Sequence, residues 1–109
     1  MVKQGDIIYL NFTPQSGHEQ AGKRPALVVS NDFFNSYNNM TMVCPITSSE
    51  PKTPLHVKIE DTVKTHGTIL CDQVKCLDIK SRGYSKVEKL PNDILGEVLD
   101  IIQSIIEKQ

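Results

Sequence analysis

The chain has 109 residues, 39% of them hydrophobic and 23% charged, and a formal net charge of −1. That size carries one modest core, so residues 1–109 read as a single domain, and the composition excludes a disordered chain. The near-neutral charge argues against a sequence-blind nucleic-acid binder, which needs a basic footprint, but leaves room for an enzyme that discriminates through base contacts.

No apolar run approaches the ~20 residues of a membrane span, and Met1-Val2-Lys3-Gln4-Gly5-Asp6 lacks the apolar stretch of a signal peptide. The expected location is the cytoplasm, without membrane contact. Cys44, Cys71 and Cys76 form no C-x-x-C pair, and His18, His56 and His66 form no helical or hairpin ligand pair, so neither a metal nor a cofactor is expected. Cys44 and Cys71 lie in apolar runs, where a free cysteine packs as a small hydrophobe.

Asp6 to Phe12, bounded by Gly5 and Pro14, is rich in β-branched and aromatic residues and predicts the first strand. Ala26 to Ser30 predicts a second, apolar and central. Asn31 to Asn35 predicts one helical turn capped by Asn31, with Phe33 and Phe34 facing inward. Met40 to Thr47 predicts a third strand, in which Pro45 signals an edge or a bulge.

Residues 48–54 form a loop, and Leu55 to Glu60 alternates as a strand with one wet face does. Two further strands, Thr68–Cys71 and Val74–Ile79, flank Asp72-Gln73. Ser81-Arg82-Gly83 is a turn before a last strand, Tyr84 to Glu88. The period then lengthens: Ile94, Leu95, Val98, Leu99, Ile101, Ile102, Ile105 and Ile106 recur at helical spacing after the start signal Pro91-Asn92. This stripe is wider than one sheet contact requires, so part of it is expected to face another subunit. The expected class is mainly β with one C-terminal helix, as a small antiparallel barrel or twisted sheet.

Chemistry concentrates in Gly17-His18-Glu19-Gln20-Ala21-Gly22-Lys23-Arg24-Pro25, which places an imidazole, a carboxylate, an ammonium and a guanidinium on one loop before a strand. Arg24 is one of two arginines, and its planar fork suits bidentate contact with phosphate oxygens. Thr47, at a strand end, presents a hydroxyl.

With Gly5-Asp6-Ile7, Cys44-Pro45-Ile46-Thr47-Ser48, Cys71-Asp72-Gln73-Val74-Lys75 and Ile79-Lys80-Ser81-Arg82-Gly83, that loop makes a series in order along nearly the whole chain. The series resembles the MazF/PemK (Kid-like) family of toxin endoribonucleases, the mRNA interferases of type II toxin–antitoxin systems. The resemblance implies an SH3-like, CcdB-like barrel acting as a homodimer. It also implies metal-free cleavage of single-stranded RNA at short specific sequences, and neutralisation by a MazE- or PemI-like antitoxin that lays an acidic segment over the RNA groove.

Metal-free RNA cleavage uses the substrate's own 2′-OH, which DNA lacks. The protein then supplies a base, an acid and donors for the charge on phosphorus. The resemblance implies Arg24, Thr47, Asp72 and His18 as the catalytic set, with Asp72 a candidate base and His18 a candidate acid or phosphate donor. The PemK pattern has an arginine two residues before the aspartate, where this chain has Leu70. That departure shifts weight to Arg24 and Thr47. Glu19 and Gln20 are candidates for shaping the loop or reading base edges; Ser48 and Gln73 are candidate RNA contacts, and Lys23, Lys52, Lys75 and Arg82 candidate phosphate contacts. Phe33, Phe34 and Tyr37 are placed either on bases or in core or dimer packing. The rival on this fold, a CcdB-like inhibitor of a protein such as gyrase, depends on a C-terminal tryptophan, and the chain has none.

Overall fold

The computed structural model of the protein describes residues 1–14, 17–60 and 63–109. Seven strands, β1 (Asp6–Asn11), β2 (Lys23–Val28), β3 (Thr41–Thr47), β4 (His56–Lys58), β5 (Thr68–Leu70), β6 (Lys75–Leu77) and β7 (Tyr84–Lys89), alternate with helices α1 (Asp32–Tyr37), α2 (Ile79–Arg82) and α3 (Asn92–Ile105). The strands pair antiparallel in the order β4-β5-β3-β2-β1-β7, and β6 joins β3 beside β5. The expected mainly-β class with a C-terminal helix is the observed one. The sheet does not close into a full barrel, since β4 and β7 stand at its ends.

Strand alternation sends Ile7, Leu27, Cys44, Ile46 and Ile69 to one face, where Ile94 and Val98 of α3 cover them. Ile8, Leu10, Ala26, Val28 and Val43 go to the other, against Val2 and Ile79. Both faces are covered, which is why these strands read as apolar runs rather than as clean alternation. Each such valine, leucine or isoleucine side chain contributes about 1.5–3 kcal/mol by leaving water.

Four expectations need correction. β2 starts at Lys23, not Ala26, so Arg24 stands on the sheet rather than in the preceding loop. Pro25 is tolerated there because its ladder partner is Tyr9 of β1, and pairing with β3 begins only at Ala26. Pro45 lies in a central strand; it falls where β3 exchanges β6, paired with Thr41 to Val43, for β5, paired with Ile46 and Thr47. Ser81 and Arg82 belong to α2 rather than to a turn.

Phe33 does not face inward. It is 72% exposed and leans on the equally exposed Tyr37, with ring centroids 4.8 Å apart. The buried residue of α1 is Asn35, whose Nδ2 donates to Ser30 O at 3.0 Å while Ser30 Oγ accepts from Met42 N at 3.0 Å. So short a helix has little inward surface, and the buried polar groups of Ser30 claim it. The Asn31 cap forms as expected, its side chain accepting from Phe34 N at 2.8 Å.

Candidate functional site

Thr47 closes β3, and the β2–β3 register pairs Ala26 with Pro45. Arg24 lies two residues before that first pair on β2, and Thr47 two residues after it on β3. Arg24 Nε and Nη2 donate to Ala21 O at 3.0 and 2.7 Å. These bonds fold the guanidinium back on its own loop and fix the fork's plane. Its remaining N–H groups have no acceptor among the described residues, so they stay available to an anion.

The same loop is tied to the segment after β5. Gln20 N donates to Gln73 Oε1 at 3.0 Å, and Lys75 Nζ pairs with Glu19 Oε1 at 2.8 Å. A partly exposed pair of this kind is worth only about 0.2–1 kcal/mol, so it sets register more than stability. Cys71–Gln73 form one 3-10 turn, anchored by the buried Cys71 and presenting Asp72 outward.

Asp72 Oδ1 lies 3.3 Å from His56 Nε2, and His56 Nδ1 accepts from Lys52 N at 3.2 Å. His56 opens β4, directly opposite Leu70 of β5. Beyond Thr47 the chain is held by Thr68 Oγ1, which donates to Ser49 O at 2.7 Å, and by Ser49 N, which reaches Thr47 Oγ1 at 3.4 Å. Ser48 is exposed between them.

These segments enclose a groove of about 180 Å³ lined by Gln20, Thr47, Lys52, His56, Leu70 and Gln73, among others. Burial raises the Cys71 thiol to about 12, with the Asp72 charge as the second cause, and burial raises Cys44 further still. Neither sulfur is therefore a nucleophile at neutral pH, in keeping with the core placement expected of both.

Of the residues singled out in the sequence, Thr47, Gln20, Lys52 and Gln73 share this groove. Arg24, on β2, binds back to Ala21 next to Gln20, Asp72 stands 3.3 Å from the groove residue His56, and Glu19 pairs with Lys75. His18 is exposed, with no hydrogen bond among the described residues. Lys23 and Arg82 lie apart, lining a second groove of about 380 Å³ with Tyr9. There Arg82 Nη1 donates to Asn11 O and Thr13 O, both at 3.0 Å, and so fastens the end of β1.

The residue that sequence reasoning missed is His56. Its one signal was its place on the wet face of the alternating run Leu55 to Glu60, and nothing in that run says which turn lies beside it. Among the described residues, no three of His, Cys, Asp and Glu converge as a metal site would require, and no helix is long and apolar enough to cross a membrane.

A family model for the PemK-like, MazF-like toxin of type II toxin–antitoxin systems matches residues 3–106. The endoribonuclease toxin ChpB of Escherichia coli strain K12 is 35% identical over 113 residues, spanning 96% of this chain and 94% of ChpB. Endoribonuclease PemK of Escherichia coli is 32% identical over 109 residues, spanning 96% of this chain and 82% of PemK. A crystal structure of MazF from Deinococcus radiodurans superposes with a TM-score of 0.89 at 36% identity, covering 96% of each chain. A MazE–MazF complex from that organism superposes with a TM-score of 0.83 at 36% identity, covering 96% of this chain and 95% of that one. The chain belongs to the PemK-like, MazF-like family of type II toxin–antitoxin toxins.

Proposed function

We propose that this toxin-family endoribonuclease cleaves single-stranded RNA at short specific sequences, without a metal, by attack of the ribose 2′-OH on the adjacent phosphorus. The 2′-O–P bond forms and the P–O5′ bond breaks, leaving a 2′,3′-cyclic phosphate and a 5′-hydroxyl. A base takes the 2′-OH proton and an acid returns one to O5′.

Arg24 holds the phosphate oxygens where negative charge develops, which suits a guanidinium whose fork is fixed in plane and still has free donors. Thr47 adds a hydroxyl donor from the facing strand. Asp72 is the candidate base, and His18, on the exposed loop, the candidate acid. Gln20, Glu19, Ser48 and Gln73 surround the bases; Lys23, Lys75 and Arg82 meet phosphates further along the strand. The single observation that carries this reading is the Arg24 fork, pinned with donors left free to Ala21 O, whose neighbour Gln20 lines a polar groove with Thr47.

The relative crystallised as a MazE–MazF complex supports a cognate antitoxin as partner, one whose acidic segment competes with RNA for the groove. A homodimer is supported by the end of α3, where Ile105 and Ile106 remain 46% and 80% exposed. Cleavage of a mixed single-stranded RNA pool in EDTA tests the reading. Cleavage at one short motif with 5′-hydroxyl ends is expected; a strict metal requirement, or 5′-phosphate ends, overturns it.

A further inference from the structure

Among the described residues the Asp72 carboxylate pairs with no lysine or arginine. The neighbouring strand brings an imidazole to it instead. Leu70 is buried and forms apolar lining of the groove, and the residue directly across the β4–β5 pair is His56. Cross-strand partners lie on one face of the sheet. From that face the imidazole reaches past Leu70 to the 3-10 turn, with Nε2 3.3 Å from Asp72 Oδ1.

The ring's tautomer follows from its other contact. Lys52 N donates to Nδ1 at 3.2 Å, and a nitrogen that accepts a hydrogen bond carries no proton. The ring proton therefore sits on Nε2, the nitrogen that lies 3.3 Å from the carboxylate. The His56 side chain is only 12% exposed, against 37% for Asp72. A nearly buried ring, held at Nδ1 by the Lys52 amide and with Nε2 beside Asp72, is a stiff support for a carboxylate at the surface. Asp72 Oδ2 has no partner among the described residues and is the oxygen left to receive a proton.

We propose that His56 is a positioning residue for RNA cleavage: it aims the Asp72 carboxylate, with the Lys52 amide fixing its tautomer. The proposal rests on the nuclease reading above and on Asp72 acting as base. A carboxylate turned away by about 1 Å loses much of its proton-transfer rate while substrate binding barely changes. The loss therefore falls on kcat rather than KM.

The test is single-turnover and steady-state cleavage of one RNA oligonucleotide by the full chain and by His56→Ala, His56→Gln, Asp72→Asn and the double variant His56→Ala/Asp72→Asn. His56→Ala is expected to lower kcat roughly 10-fold or more with KM within about 2-fold. His56→Gln, whose amide still donates, recovers most of that loss and covers the case in which the alanine variant fails to fold. In the Asp72→Asn background, His56→Ala costs less than about 2-fold more, because the route through Asp72 is already gone.

Equal losses in both backgrounds, or full activity of His56→Ala, overturn the proposal. So does full activity of Asp72→Asn, which leaves the nuclease reading standing. If the wild-type chain does not cleave RNA, the nuclease reading falls with the role. Nitrogen NMR of the His56 ring then still tests the geometry: protonated Nε2 and bare Nδ1 support it, and the opposite tautomer overturns it.

Discussion

Gly67 lies directly against the backbone of Thr47: a Cβ built on it would overlap the Thr47 carbonyl oxygen. Its φ of +127° is also one that a side chain rarely adopts. The residue that presents the Thr47 hydroxyl to the groove is thus seated against a position that must remain glycine. Gly67→Ala is expected to destabilise the protein by about 2–4 kcal/mol in urea unfolding. Cleavage by the folded fraction should fall as well, because Thr47 shifts. A change within about 0.5 kcal/mol would mean that the two segments are not in contact.

Arg24→Ala should leave the fold intact, since the strand around it is held by β1 pairing rather than by the guanidinium. Its loss of phosphate stabilisation predicts a fall in kcat of about 10²–10³-fold or more. Arg24→Lys keeps the charge but loses the fork and both bonds to Ala21, so it should recover little. An Arg24→Ala variant with full activity on an oligonucleotide substrate refutes the assignment.

The cysteines differ in a way that a thiol titration reads directly. Cys76 is exposed, while Cys44 and Cys71 are buried, the latter with its thiol raised to about 12. At pH 8 the buried pair holds almost no thiolate. One thiol per chain should react with Ellman's reagent in the native protein and three in guanidinium; fast reaction of more than one native thiol contradicts this placement.

Glu88 of β7 anchors the chain before β5. Its carboxylate accepts from Thr65 Oγ1 and Thr65 N, both at 2.6 Å, and from Lys64 N at 3.1 Å. The Thr65 hydroxyl bond is the main cause of a pKa below the ordinary glutamate value. A carboxyl group with a lowered folded-state pKa contributes stability above its unfolded value of ~4.3, and that stability is lost as pH falls through the lower folded value. Glu88→Gln should therefore cost about 1–2 kcal/mol at pH 7. Its gap to wild type should close below about pH 4; a gap that is constant from pH 7 to pH 3 rules out the linkage.

The sequence alone determined the fold class, the capped turn at Asn31, the helix from Asn92 and the family. These rest on period, caps and short motifs, which are local along the chain. It also singled out Arg24, Thr47 and Asp72, because their residue types suit RNA cleavage and their motifs keep family order. Tertiary structure decided how they meet. Only the bond from Gln20 N to Gln73 Oε1 ties the loop before β2 to the turn of Asp72, and only the β4–β5 pairing carries His56 past Leu70 to Asp72. It also turned Phe33 outward in favour of Asn35, and put Arg82 to work on two backbone carbonyls rather than in the main groove. Partners in these contacts are separated by 16 residues or more in the His56–Asp72 and Arg82–Asn11 cases, and strand register, which brings them together, leaves no local trace in composition or period.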